Sequence, residues 1–304
     1  VVKVLSRIAL FFTLFCLLFA SADVEAADES VQTSLSRQDV SPHLQPAADQ
    51  QNISIAGLKV AVWQTALAKQ PMPLIIFSHG FHGHNTQTRF LAMALAKAGY
   101  IVLAPEHADA SVLGNTAPPE IPFRQANDWS ETTYKKRCLD IQNLLAALHK
   151  DKHWSDLINW SQVGLCGHSL GGYTVLGLAG AWSSWQIPDV KAVLALSPYC
   201  EPFIVHDTLG GIKIPVMYQG GTRDFGITPS IKKNDGAFSK TGSPAYFIEF
   251  DKMGHLGWTG LNQNADQREL IDFYSIAFFD KYLRGDKSAK LEEKKDGVTA
   301  LISK

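Results

Sequence analysis

The chain has 304 residues, 46% hydrophobic and 19% charged, with a formal net charge of −1 at neutral pH. This is the composition of an ordinary globular protein. The balanced charge and the lack of a long basic run argue against a nucleic-acid partner, and nothing in them calls for a strongly charged substrate.

In chain order, Lys3 and Arg7 precede an apolar run from Ile8 to Ala20, and Ala20-Ser-Ala22 and Val24-Glu-Ala26 both fit a small-x-small cleavage rule. Residues 1–26 therefore read as an export signal, the run being shorter than the ~20 residues a spanning helix needs. The small residues of a lipid-attachment site are missing before Cys16. The expected product is secreted or periplasmic, with no stable membrane anchor after cleavage. Residues 27–50 are polar and read as a flexible leader. Cys138, Cys166 and Cys200 lie beyond the signal; three thiols permit at most one internal bridge, and the sequence assigns no pair.

From 53 to 63 the apolar residues alternate loosely, as in one or two early strands. Leu74 to Phe77 is a compact apolar run, followed by the glycine-rich loop Ser78-His-Gly-Phe-His-Gly-His84. Helical spacing over 89–98 ends at Gly99, and 100–104 reads as the next strand. Residues 105–130 form a long irregular stretch containing Pro118, Pro119 and Pro122, a length seldom found unless functional. A helix is expected over about 131–149, with Leu139, Leu144, Leu145 and Leu148 as its apolar stripe. Further strands are expected at 163–166, 190–196, 214–218 and 245–250, and a closing helix at about 265–283. The lysine-rich segment 287–304 reads as a solvated tail. Short continuous apolar strands alternating with helices predict an α/β domain over residues 51–286, its mainly parallel sheet covered on both faces.

The chain is organised around Val163-Gly-Leu-Cys-Gly-His-Ser-Leu-Gly-Gly-Tyr173. An apolar strand, a sharp turn and a helix with Ser169 at the apex make a nucleophile elbow. Side chains two positions before and after the serine would collide there, hence Gly167 and Gly171. A serine needs a base within reach and an acid to orient that base. In this architecture both follow on loops at the carboxyl ends of later strands. The sequence supplies Gly220-Gly-Thr-Arg-Asp224 and Asp251-Lys-Met-Gly-His255. Ser169 is the expected nucleophile, His255 the base and Asp224 the carboxylate; Asp207 and Asp251 are rival acids. Oxyanion N–H donors are expected from Leu170, at the helix start, and from Phe81 in the glycine-rich loop. His79, His82 and His84 also admit a metal-site reading, but their spacing is no zinc signature and no Cys or acid stands nearby. No cofactor and no metal is expected.

Ser78-His-Gly-Phe81, Gly167-His-Ser-Leu-Gly-Gly-Tyr-Thr174, Gly221-Thr-Arg-Asp224, Gly254-His255 and the closing Ala277-Phe-Phe-Asp-Lys-Tyr-Leu-Arg-Gly-Asp286 together resemble an α/β-hydrolase of the dienelactone-hydrolase-like group. That group is similar to platelet-activating-factor acetylhydrolases and cutinase-type polyester hydrolases, and the likeness spans roughly residues 55–286. Dienelactone hydrolases proper carry a cysteine nucleophile where this chain has Ser169, so their activity is not implied. Between the strand ending near Ser197 and the next, only residues 198–213 are left, too few for a separate lid domain. An open site is expected, shaped by the 105–130 loop with Trp129 and by Tyr199, Cys200 and Phe203; packing of the loop is the alternative role for these side chains. The expected activity is an exported serine hydrolase cleaving small-molecule or polymeric carboxylic esters through an acyl-enzyme. The alternatives are a serine peptidase or amidase on the same fold, and a non-catalytic binding module.

Overall fold

A computed structural model of the chain describes residues 48–65, 71–111, 114 and 116–304. The export signal and nearly all of the leader lie outside the described residues. The early alternating segment is a hairpin of β1 (Ala48–Ile55) and β2 (Leu58–Thr65). Its two-residue turn places Ala56 and Gly57 at φ 53° and 76°, the positive-φ pair that matches the twist of paired strands.

β2 runs antiparallel to β4 (Ile101–Pro105). From β4 inward the sheet is parallel, through β3 (Met72–Ser78), β5 (Ile158–His168), β6 (Val190–Leu196), β7 (Val216–Gly221) and β8 (Ala245–Phe250). Among the described residues the spatial order of the nine strands is β1-β2-β4-β3-β5-β6-β7-β8 and, last, Val298–Ser303 (β9).

The continuous apolar runs have the cause expected of them, burial on both faces. Alternate residues of β3 enter different cores, Leu74 and Ile76 one, Ile75 and Phe77 the other. Helices pack on both faces, and α1 (Arg89–Lys97) covers the second with Leu91, Leu95 and Ala96. Those on the first face are α2 (Lys135–Lys150), through Cys138, Ile141, Leu144 and Leu148, and α3 (Leu170–Leu176). The second face is completed by α4 (Ala265–Phe279), through Ile271, Tyr274 and Phe278.

Two expectations shift. The helix placed at about 131 begins at Lys135, because Tyr134 adopts φ 57° and breaks the helical path. The expected solvated tail differs more: its last residues form β9 (Val298–Ser303), antiparallel to β8. Val298 is buried and pairs with Phe250, so the short apolar run Val298-Thr-Ala-Leu-Ile302 closes the edge of β8 that would otherwise lie open. The lysines at 287, 290, 294 and 295 hide this run in the local composition. Between β6 and β7 stand only two short helical turns, Glu201–Val205 and Leu209–Gly211, and no lid domain. The residues expected to matter therefore all leave the same, carboxyl, edge of the sheet.

Candidate active site

Ser169 sits between β5 and α3 at φ 55° and ψ −115°, a strained conformation for a residue with a side chain. The turn is held by its own backbone. Ser169 N–H donates to Leu196 O at 3.0 Å, and Ser169 O accepts from Tyr173 N–H at 3.1 Å and Tyr199 N–H at 3.0 Å. A methyl group on Gly167 would fall on the carbonyl of Gly171, and one on Gly171 would fall on that of Ser78. Both glycines are thus required by close approach of main chain to main chain.

His255 opens the turn after β8 and reaches back, its Nε2 2.9 Å from Ser169 Oγ. Its side chain remains 23% exposed, so this end of the site is open to solvent. Asp224, buried three residues after β7, lies with Oδ1 3.3 Å from His255 Nδ1. Burial alone would push the Asp224 carboxyl up. The hydrogen bond and charge of His255, and hydroxyl donation from Ser197 (2.6 Å) and Thr228 (3.1 Å), hold it below the ordinary carboxylate range. Asp224 is therefore an ionised acceptor facing an imidazole.

The loop after β3 comes alongside. A methyl group on Gly80 would lie 3.5 Å from Ser169 Cβ. The Gly80 carbonyl points the other way, accepting from Arg137 Nη2 at 3.0 Å, Gly83 N–H at 3.0 Å and His79 Nδ1 at 2.8 Å. Because a trans peptide sets C=O and the next N–H on opposite sides, these bonds fix the orientation of the Phe81 amide. Leu170 begins α3, where first-turn N–H groups have no acceptor within the helix.

Comparison with known families matches residues 53–136 to platelet-activating factor acetylhydrolase, isoform II. With the strand order and the strand–turn–helix at Ser169 already in place, this decides the architecture. The chain has the α/β-hydrolase fold. The matched family is one of ester-cleaving hydrolases, and the match covers β3, the Gly80 loop, β4 and the very start of α2. A search of the curated proteins found no match.

Within this hydrolase fold the rival acids go elsewhere. Asp207 is 77% exposed at its side chain and pairs with Lys240, and Asp251 pairs with Lys252 at the surface. The three loop histidines also diverge. His79 is fully buried, its Nδ1–H on Gly80 O and its Nε2 accepting from His107 N–H. His82 stacks on Phe81, and His84 bonds Thr86. Among the described residues no three ligating side chains converge on one point. Trp129, Tyr199, Cys200 and Phe203 are all buried, which makes them packing residues; Phe81 and Phe123 are the half-buried members of that aromatic cluster.

The sequence reading missed a surrounding set of polar residues. Gln87 accepts from Gly80 N–H at 3.1 Å and bonds His168 Nδ1 at 2.8 Å, and His168 Nε2 bonds the His255 carbonyl at 2.9 Å. Since a carbonyl only accepts, His168 carries its proton on Nε2, and Gln87 must donate to Nδ1. Burial, reinforced by the neighbouring His255, pulls the His168 imidazole down to about 3 and keeps it neutral. The chain of bonds ties the Gly80 loop to the turn that carries His255.

Beneath the loop, Ser78 Oγ lies 2.9 Å from His107 Nε2, and His107 Nδ1 lies 2.8 Å from Asp140 Oδ2. This repeats the contacts of the Ser169 group in a fully buried place, where it serves as support. Burial lowers His107 and raises Asp140 to about 6. Arg137, also buried, braces the same region from α2 through bonds to His79 O, Gly80 O and Asp109. One signal was available. Arg137 falls on the helix stripe with Ile141, Leu144 and Leu148, a spacing that points inward.

Proposed function

We propose that the chain is an exported serine hydrolase that cleaves carboxylic esters through an acyl-enzyme, with Ser169 as nucleophile, His255 as general base and acid, and Asp224 as the orienting carboxylate. The observation that carries this reading is the 2.9 Å approach of His255 Nε2 to Ser169 Oγ at a strained elbow. The 3.3 Å approach of Asp224 to the other ring nitrogen supports it, as does the similarity of residues 53–136 to a family of esterases. Export rests on the sequence of residues 1–26.

In this mechanism His255, protonated on Nδ1, accepts the Ser169 proton on Nε2 as Oγ attacks the ester carbonyl. The carbonyl oxygen takes up the negative charge between the N–H groups of Phe81 and Leu170. The imidazolium then gives its proton to the departing alkoxide, leaving the acyl group on Oγ. Water, deprotonated by the same ring, attacks the acyl-enzyme; the proton returns to Ser169 and the carboxylic acid leaves. A site with His255 open to solvent and only two short helical turns between β6 and β7 suits small-molecule or polymeric esters.

The test is hydrolysis of p-nitrophenyl acetate and butyrate beside a peptide anilide. Ester turnover should exceed anilide turnover, vanish in Ser169→Ala, fall by about 10⁴ in Asp224→Asn, and persist in Asp207→Asn. Full ester turnover in Ser169→Ala would refute the assignment.

A further inference from the structure

Ser197 is the first residue after β6, fully buried, and held at φ 42° with its N–H on Gln219 O at 2.8 Å. Its hydroxyl oxygen lies 2.6 Å from Asp224 Oδ2 and 2.7 Å from His255 Nδ1. The direct approach of Asp224 Oδ1 to the same ring nitrogen is 3.3 Å, longer than the 2.7–2.9 Å typical of a charge-assisted N–H···O bond. The short path from carboxylate to imidazole thus runs through the serine.

The hydrogens can be placed by elimination. A hydroxyl has one proton and two lone pairs, and an ionised carboxylate only accepts. Ser197 therefore donates to Asp224, which leaves a lone pair facing His255, and that lone pair is satisfied only if Nδ1 carries a hydrogen. A hydrogen on Nδ1 leaves Nε2 free to accept from Ser169. Thr228 also donates to Asp224, but its hydroxyl turns its lone pair to Gly221 N–H and has no bond to the ring. Of these two hydroxyls, that of Ser197 is the one that bonds both partners.

We propose that Ser197 is a positioning residue of the Ser169–His255–Asp224 group, relaying the carboxylate to His255 and fixing the tautomer in which the ring acts as a base. The proposal rests on the esterase reading above. It implies that position 197 is a second place from which a carboxylate reaches His255, because its side chain already touches Nδ1.

Ser197→Gly is the decisive variant. Glycine is at ease at φ 42°, so the fold is retained while the hydroxyl is lost; Ser197→Ala is its check. Both should lower kcat/KM for p-nitrophenyl butyrate by roughly ten- to a hundredfold, the loss expected for a hydrogen bond to a charged group. KM should stay nearly constant, so that the loss falls on kcat. In an Asp224→Asn background, Ser197→Asp should recover about tenfold over Asp224→Asn alone, a gain that a packing role cannot produce.

Ser197→Gly with unchanged kcat/KM, or no recovery by Ser197→Asp in the Asp224→Asn background, beside an inactive Ser169→Ala, overturns the proposal and leaves the esterase reading standing. An active Ser169→Ala overturns both.

Discussion

Replacing Arg137 by methionine keeps an apolar stem of similar length and removes every donor. The native guanidinium is 2% exposed and is spent on five acceptors: Asp109 Oδ1 and Oδ2 at 3.0 and 2.7 Å, His79 O at 2.6 Å, Gly80 O at 3.0 Å and Ser78 Oγ at 3.4 Å. Removing one member of a buried ion pair costs about 3–5 kcal/mol, because the other charge is stranded. A carbonyl deprived of its donor adds about 1 kcal/mol or more. The sum, roughly 4–6 kcal/mol, is a large share of the 5–15 kcal/mol that holds a typical domain.

Asp109→Asn introduced beside Arg137→Met removes the stranded charge and should restore about 2 kcal/mol of that loss. The sign with pH can be checked as well. Burial alone would raise the Asp109 carboxyl, but the charge and hydrogen bond of Arg137 hold it well below the ordinary carboxylate range. The stabilisation from this pair is therefore present above the unfolded-state pKa of about 3.9 and is lost as pH falls below it. Urea denaturation of wild type, both single variants and the double variant at neutral pH reads the cycle, provided the slopes agree. An Arg137→Met variant within 1 kcal/mol of wild type would refute the reasoning, as would a double variant no more stable than Arg137→Met.

Three further outcomes are expected. His168, neutral and pulled down to about 3 by burial, refuses a proton that the unfolded chain accepts below about 6.5. Wild-type stability should therefore fall with decreasing pH more steeply than that of His168→Gln, by up to about 1.4 kcal/mol per unit between roughly pH 6 and 4; equal slopes of the urea midpoint would count against it. Gly171→Ala drives a methyl group into the Ser78 carbonyl and should abolish ester turnover or soluble expression, so a fully active variant would show that the elbow can open. Phe225, next to Asp224 and 77% exposed, should aid contact with insoluble substrate: Phe225→Ser is expected to slow hydrolysis of a polyester film while leaving p-nitrophenyl acetate unaffected, and parallel losses on both would oppose that role.

What could be read before the structure was whatever a local rule enforces. Gly167 and Gly171 announce the elbow because two backbones meet there and no other residue fits. The parallel strands announce themselves because both of their faces are covered, which leaves runs such as Leu74 to Phe77 without polar interruption. β9 escaped for the opposite reason. It is an edge strand with Val298 buried and Thr299, Ile302 and Ser303 exposed, so its half-apolar pattern is weak beside the lysines that precede it.

The polar residues around the site escaped for a deeper reason, because their roles exist only in the register of the sheet. Ser197 acquires partners 27 and 58 residues away because β6, β7 and β8 end side by side. Gln87 meets His168 across 81 residues because α1 begins where β3 and β5 finish together. In each case the side chain is short or neutral and looks like any loop residue. Arg137 and Asp140 left a trace that the sequence reading did not use, as charges at helical spacing from the apolar Leu144 and Leu148. A buried arginine there can be tolerated only if α2 delivers it to acceptors that need it, and those acceptors are the carbonyls of the loop beside Ser169. The helix thus does more than cover the sheet: its buried arginine helps to set the direction in which the Phe81 amide faces. A change at Arg137 should therefore reach ester turnover as well as stability, although the residue touches none of the three side chains proposed to carry out the reaction.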